Sequence, residues 1–280
     1  MHIDSTTGYG LMNTAERNTL SSALRVLDGL QVIAKARGPV PLAKLAAELD
    51  ISEVAAFRVA STLIAGGYVR QAASGGGYAM TWQIVEMSRA LLDRTDLRKI
   101  AEDRLSALAD HYTECITVAI PDGDHVVFID RINGDLNVHF FCDIGKRLPL
   151  HVGAASRAIL AYAPQPLIGE YLTRPLARYT VATQVDPALV EQDLAHIRDV
   201  GYAVSIGDVE IGISAVAAPI LNARSEVLGA AAIANIGARW SDKDVLERGE
   251  RMAAVCAEIS RDCAELTQAF RLNRERPSKR

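Results

Sequence analysis

Residues 51–69 read ISEVAAFRVASTLIAGGYV. Ala56, Val59, Ala60 and Leu63 recur at spacings of three and four, which places them on one face of a helix. The pair Gly66-Gly67 ends that helix, and the residues after it have strand character. Glu53, Ala55, Phe57, Arg58, Ser61 and Thr62 are left on the outer face. What the helix does depends on its flanks.

Upstream, PLAKLAAELD (41–50) has Pro41 near the first helical position and Leu42, Leu45, Ala46 and Leu49 on one face. Only DIS (50–52) separates it from the next helix, a tight turn. Before that, Leu20, Leu24, Leu27, Gln31 and Ala34 follow helical spacing until RGP (37–39) stops the run. Downstream, YVRQAASGGGYAMTW (68–82) alternates in character on either side of SGGG, the pattern of two short strands with a glycine-rich tip. Three helices followed by a hairpin predict a winged helix-turn-helix over 18–82. Residues 1–17 are polar and aperiodic, which predicts a disordered arm.

The bulk composition bounds the rest. At 280 residues and 49% hydrophobic content the chain can bury a core without staples. The net charge of −4 excludes a chain that is basic throughout and leaves room for a local basic patch. Cys115, Cys142, Cys256 and Cys263 form no CxxC pair, so they read as reduced intracellular thiols, with no metal site expected. The first thirty residues lack a signal-peptide pattern, and no stretch reaches 18 uninterrupted apolar residues. The expectation is a soluble cytoplasmic protein with no membrane contact and no cofactor.

After Trp82, QIVEMSRALLDR and TDLRKIAEDRLSALADHY predict linker helices over 83–111, with Thr95 as an N-cap and Leu97, Ile100, Leu105 and Leu108 at roughly helical intervals. Residues 112–270 alternate strand-like and helical segments. CITVAIPDG, HVVFIDRIN, LNVHFFCDIG, YAVSIG, ISAVAAPILN and VLGAAAIANI are strand-like. GAASRAILAYA is helical, and DPALVEQDLAHIRDVG has Asp186 as N-cap and Gly201 just past its end. A last helix is expected from Asp242 to Phe270. Two apolar strands flanking NARSE predict a hairpin in an antiparallel sheet covered by helices, an α+β domain. The tail at 271–280 is basic, either a solubilising end or an added contact to a nucleic-acid backbone.

Three spaced segments, GKRLPLHVGAASRAILA (145–161), LARYTVATQVDPALVEQDLAHIRDVGYAV (176–204) and AVAAPILNARSEVLGAAAIA (215–234), resemble the IclR family of bacterial transcriptional regulators in its own order. The resemblance runs over about residues 18–270. It implies an N-terminal winged helix-turn-helix, a linker helix and a C-terminal GAF-like effector-binding domain. It also implies a homodimer or homotetramer on operator DNA that responds to a small metabolite, here as a repressor of catabolic genes.

A recognition helix buries one stripe and turns the other face toward the major groove. The DNA-contact candidates are Arg25, Lys44, Ser52, Glu53, Phe57, Arg58, Ser61, Thr62 and Arg70. From Thr14 to Met80 there are seven basic and five acidic residues, a local positive surplus in an acidic chain. Where the family usually carries a Lys-Ser-Thr-like run, this chain has Glu53, Val54 and Ala55, whereas Arg58 matches the family's arginine. A metabolite-binding module that has lost DNA binding is the alternative reading. Were Glu53 to enter the groove, its chemically sensible contact would be a cytosine amino group.

For the effector half, the resemblance maps the family's ligand contacts onto Ala154, Ala155, Ser205, Ala215, Ala232 and Ala234. Four polar anchors thereby shrink to one hydroxyl. A small, highly charged acid would be left with unpaired oxygens, so the emptied, apolar-walled volume predicts a larger, flatter ligand, an aromatic catabolite-like acid or amide. Helix-start amides near Gly153 to Ser156 would take a carboxylate or carbonyl oxygen. His139, Phe141, Cys142, Tyr202 and Asn235 complete the candidate pocket. Asp208 and Glu210 read as part of a solvated turn. No nucleophile or cofactor motif accompanies them, and His139 and Cys142, three apart on a strand, point to opposite faces, so no catalytic residue is assigned.

Overall fold

A computed structural model of the chain describes residues 20–73, 76–92, 96–132, 143–236 and 240–266. The expected arm, the basic tail, the Thr95 cap and the end of the last helix lie outside the described residues. The chain divides into two compact units at Arg94/Thr95.

In the first unit, α1 (Ser21–Lys35), α2 (Leu42–Leu49) and α3 (Glu53–Ala65) precede β1 (Val69–Gln71) and β2 (Tyr78–Met80). The core is Ile33, Val40, Leu45, Ala46, Ala56, Val59, Ala60, Leu63, Val69 and Tyr78. Thus α3 buries the stripe that its spacing predicted. Helix α1 does not: Leu20, Leu24 and Leu27 are exposed, as are Gln31 and Ala34, and Gly29 and Ile33 are the buried positions. Two apolar rows share this helix, and the row containing glycine packs because a missing side chain lets α1 approach α3. A Cβ on Gly29 would lie 2.5 Å from Val59 Cγ1.

The wing is tied to the helices by Val40, whose N–H donates to Tyr78 O at 2.8 Å and whose carbonyl accepts from Tyr78 N at 2.9 Å. Gly77 sits against that exchange at φ 130, with the Val40 backbone 2.6 Å from where a Cβ would be, so only glycine fits. Helix α4 (Gln83–Leu92) closes the unit.

The second unit begins with α5 (Asp96–Tyr112), which packs on the sheet with Leu97, Ala101, Leu105, Leu108 and Ala109 buried. The sheet strands are β3 (Cys115–Asp122), β4 (His125–Ile132), β5 (Arg147–Pro149), β6 (Ala203–Ile206), β7 (Ile213–Leu221) and β8 (Val227–Ile236). They run in the order β5-β4-β3-β8-β7-β6, antiparallel throughout. The β7–β8 hairpin turns through the predicted NARSE segment, with Leu221 opposite Val227.

One face of the sheet is covered by α6 (Ala154–Ala161), backed by α8 (Pro187–Val200), with α7 (Gln165–Leu172) nearby. The other carries α5 and α9 (Asp242–Asp262). Strand periodicity sorts side chains between these layers. Cys115, Ala119, Ala215, Ala217, Ala230, Ala232 and Ala234 join the α6-side core.

Candidate functional sites

The α3 helix starts at Ser52, whose hydroxyl accepts the Ala55 amide at 3.3 Å. That hydroxyl therefore caps the helix, satisfying one of the donors left open at a helix start. Phe57 and Arg58 are exposed on the outer face, Ser61 is half-buried, and the Thr62 hydroxyl donates to Arg58 O at 2.8 Å. Glu53 is exposed at the first helical position, where a negative charge suits the helix dipole. Val54, not among the expected DNA contacts, is 74% exposed beside Phe57 at 56%. Arg25, Lys44 and Arg70 are exposed on α1, α2 and β1. The outer face thus presents one cation, Arg58, with the Glu53 carboxylate and the apolar groups of Val54, Phe57 and Ile64.

In the second unit, Gly153 at φ 88 turns the chain into α6, whose first-turn amides have no acceptor within the helix. A cavity there is lined by Thr117, Phe128, Leu148, Gly153, Ala154, Ala155, Ser156, Ser205, Val209, Ala215, Ala232 and Ala234. The structure brings together eight of the residues expected at the effector site. His139, Phe141 and Cys142 lie outside the described residues.

Tyr202 and Asn235 are corrected, because both belong to the opposite layer. Strand alternation puts Ala232 and Ala234 on the α6 side, so Asn235 faces the other way, where its Nδ2 donates to Glu114 Oε1 at 2.7 Å. The Tyr202 ring lies against Gly249 of α9. Thr117, Phe128, Leu148 and Val209 line the cavity and were missed. Thr117 is the one polar residue within β3 before its terminal Asp122. Its place at the site follows from its register opposite Ala232, a pairing that sequence does not display.

The turn carrying Asp208 is also corrected. Glu210 is exposed, but Asp208 is 6% exposed and organises the cavity's edge. One of its oxygens accepts the Ser205 hydroxyl; the other accepts the Gly153 amide at 3.1 Å and Arg157 Nη2 at 3.2 Å. The Ser205 hydroxyl and the Gly153 amide, both expected to face a ligand, are therefore taken by this carboxylate.

The alanine substitutions do not leave open volume either. Only about 20 Å³ is accessible to the centre of a water molecule, because Val209, Leu148 and Phe128 fill the space. Inside it, the hydroxyls of Thr117 and Ser156 have no hydrogen-bond partner. Buried hydroxyls are ordinarily paired, so both stand ready for a polar atom.

Cys115, Cys256 and Cys263 are free and buried. Burial pushes the Cys256 thiol up to about 12 and the Cys263 thiol up to about 11, which makes them poor nucleophiles. Among the described residues no helix is long and apolar enough to cross a membrane.

A winged helix-turn-helix followed by an α+β domain with an apolar-walled internal cavity defines a DNA-binding regulator with its own sensory domain. The chain matches the model of the IclR helix-turn-helix domain over residues 22–73 and that of the bacterial transcriptional regulator IclR C-terminal domain over 89–261. It is 28% identical over 244 residues to the transcriptional repressor IclR of Escherichia coli (strain K12), covering 86% of this chain and 89% of the relative. The crystal structure of the Thermotoga maritima IclR superposes with a TM-score of 0.72 at 25% identity, over 86% of this chain and 98% of that one. An IclR homolog from Microbacterium hydrocarbonoxydans, solved in complex with 4-hydroxybenzoate, shares the fold with a TM-score of 0.71 at 21% identity, over 86% and 100%. The chain belongs to the IclR family of bacterial transcriptional regulators.

Proposed function

We propose that this regulator is a repressor of catabolic genes that binds operator DNA as a symmetric oligomer and responds to a partly apolar effector, aromatic in its larger part. The observation that carries the sensory half is the cavity at the start of α6, where two unpartnered hydroxyls sit among apolar walls. A site with few polar groups in an apolar lining selects a ligand of the same character. The repressor assignment draws on the E. coli relative, which is named as one. An aromatic acid is bound by the Microbacterium homolog of the same fold.

On the DNA side, Arg58 holds phosphate or a guanine edge while Phe57 and Val54 supply apolar contact of the kind a thymine methyl accepts. Arg25, Lys44 and Arg70 add backbone contacts, and Ser61 remains on the groove-facing side. Ser52 and Thr62 act through the helix itself, as cap and as intrahelical bond. Effector binding opens the closed cavity, chiefly at Val209, and the change is passed to the DNA-binding unit through α5 and α4 as a shift in population.

Gel shift against the chain's own upstream DNA tests the reading, with Arg58→Glu as control and aromatic effectors added to the complex. Retarded DNA that is lost with the variant and altered by a ligand supports it. Ligand binding with no DNA retardation at low salt would instead identify a metabolite-binding module that has lost its DNA function.

A further inference from the structure

The cavity's electrostatics narrow the effector beyond its apolar character, an inference that rests on reading this cavity as the effector site. The start of an α-helix is an anion site, because its first amides and the helix dipole both favour negative charge. Here the amide of the N-cap residue Gly153 donates to the Asp208 carboxylate at 3.1 Å, so an anion from the chain itself already lies against the start of α6. The guanidinium that balances Asp208 is shared: Arg157 Nη1 donates to Asp193 at 2.7 Å while Nη2 reaches Asp208 at 3.2 Å and the Val204 carbonyl. Two carboxylates on one guanidinium leave this cluster with a formal negative charge.

No lysine, arginine or histidine is among the described residues lining the cavity. A carboxylate brought into it would be buried without a cation and would approach Asp208, which sits directly behind Gly153 and Ser205. Both effects disfavour a second negative charge. What the cavity does offer is Thr117 at 1% exposure and Ser156 at 0%, each with an unpartnered hydroxyl oxygen. A hydroxyl donates and accepts, so the pair is complementary to a neutral group that does the same.

We propose that the effector presents an uncharged polar group, an amide or comparable carbonyl, to Thr117 and Ser156, and that Asp208 is the specificity-determining residue that turns carboxylates away. Asp208 does this from behind the wall, through the Ser205 and Gly153 groups that it occupies.

The test is a thermal-shift and calorimetric comparison of the full chain at pH 7.5 with matched neutral and anionic ligands: benzamide against benzoate, and 4-hydroxybenzamide against 4-hydroxybenzoate. The expected result is that the amides raise Tm and bind at least tenfold more tightly than their acids. Asp208→Asn, which keeps the size of the side chain and removes its charge, should shrink that preference at least tenfold by admitting the acid. Acids that bind the unmodified chain as tightly as the amides overturn the inference and leave the effector reading standing. If neither class binds at millimolar concentration, the effector reading falls and the inference falls with it. The comparison on the unmodified chain decides the matter even where Asp208→Asn fails to fold.

Discussion

Arg248 of α9 donates from Nε to Glu114 Oε2 at 2.9 Å, at the point where α5 gives way to β3. Glu114 is 3% exposed and also accepts the Asn235 amide and the Trp240 indole N–H, at 2.7 and 2.9 Å. The guanidinium carbon lies 4.8 Å from the Tyr112 ring centroid and 5.1 Å from that of Trp240. A buried pair of this kind is weak evidence of net stabilisation, yet removing one member strands the other. Arg248→Ala should therefore cost about 3 kcal/mol, read as a lowered Tm of the transition that Trp240 fluorescence reports. A Tm unchanged within a degree would show that Glu114 finds another partner.

Gly29 tests the close approach of α1 to α3. An added Cβ would meet Val59 Cγ1 at 2.5 Å, inside the core of the DNA-binding unit. Overpacking of this kind costs roughly 1–3 kcal/mol, against a gain of up to about 1 kcal/mol in helix propensity for glycine to alanine. Gly29→Ala should lower the stability of the first unit and weaken operator binding, since α3 is the helix displaced. Circular dichroism melts paired with gel shifts check both. An increase in Tm would mean that Val59 changes rotamer without disturbing α3.

These residues show where sequence sufficed. The α3 stripe was legible because Ala56, Val59, Ala60 and Leu63 form an unbroken apolar face, whereas the second row, Val54, Phe57 and Ile64, is interrupted by Ser61 and stays exposed. Helix α1 carried two rows, and the exposed leucines masked the one that packs through Gly29. In the second unit, alternation along β8 is enough to separate Asn235 from Ala232 and Ala234, although Asn235 was expected beside them at the pocket. Thr117 and Asp208 were not legible in the same way. One reaches the cavity through cross-strand pairing with Ala232, and the other through a turn folded back onto the start of α6.

Arg58 is the outward cation on α3. Arg58→Ala should weaken operator binding about tenfold or more, as expected for losing a contact worth 1–3 kcal/mol. If its partner is a phosphate, the loss is uniform across operator sequences and the salt dependence of binding becomes shallower. If its partner is a guanine, the loss is confined to operators that keep that base. Fluorescence anisotropy over a salt series, with single-base operator variants, distinguishes the two, and unchanged affinity would remove Arg58 from the interface.

His151 sets a pH dependence. It is 2% exposed, its Nε2–H donates to Ala177 O at 2.9 Å, and its Nδ1 accepts the Tyr171 hydroxyl at 2.6 Å. Burial holds its pKa below the usual imidazole value. The folded pKa thus lies below the unfolded one, near 6.5. As pH falls below that value the unfolded chain binds a proton that the folded chain refuses, so stability declines until the folded pKa is passed. Denaturation of the unmodified chain should show a steeper loss between pH 6.5 and 5 than His151→Gln. Parallel pH profiles would assign the acid sensitivity to other groups.

Thr117 separates stability from response. Its hydroxyl is buried without a partner, a cost of about 1–3 kcal/mol in a folded chain. Thr117→Val keeps the shape of the side chain and removes the unsatisfied group, so it should raise Tm in the absence of ligand, by several degrees. The same change removes one of the two hydroxyls proposed to meet the effector, so ligand-induced stabilisation and ligand control of operator binding should fall at least tenfold in sensitivity, with ligand-free operator affinity unchanged. Few substitutions in a core both stabilise and inactivate. When one does, the replaced group was held for binding at the expense of the fold, and a Thr117→Val chain that is less stable and still fully responsive would show that this hydroxyl has a structural partner instead.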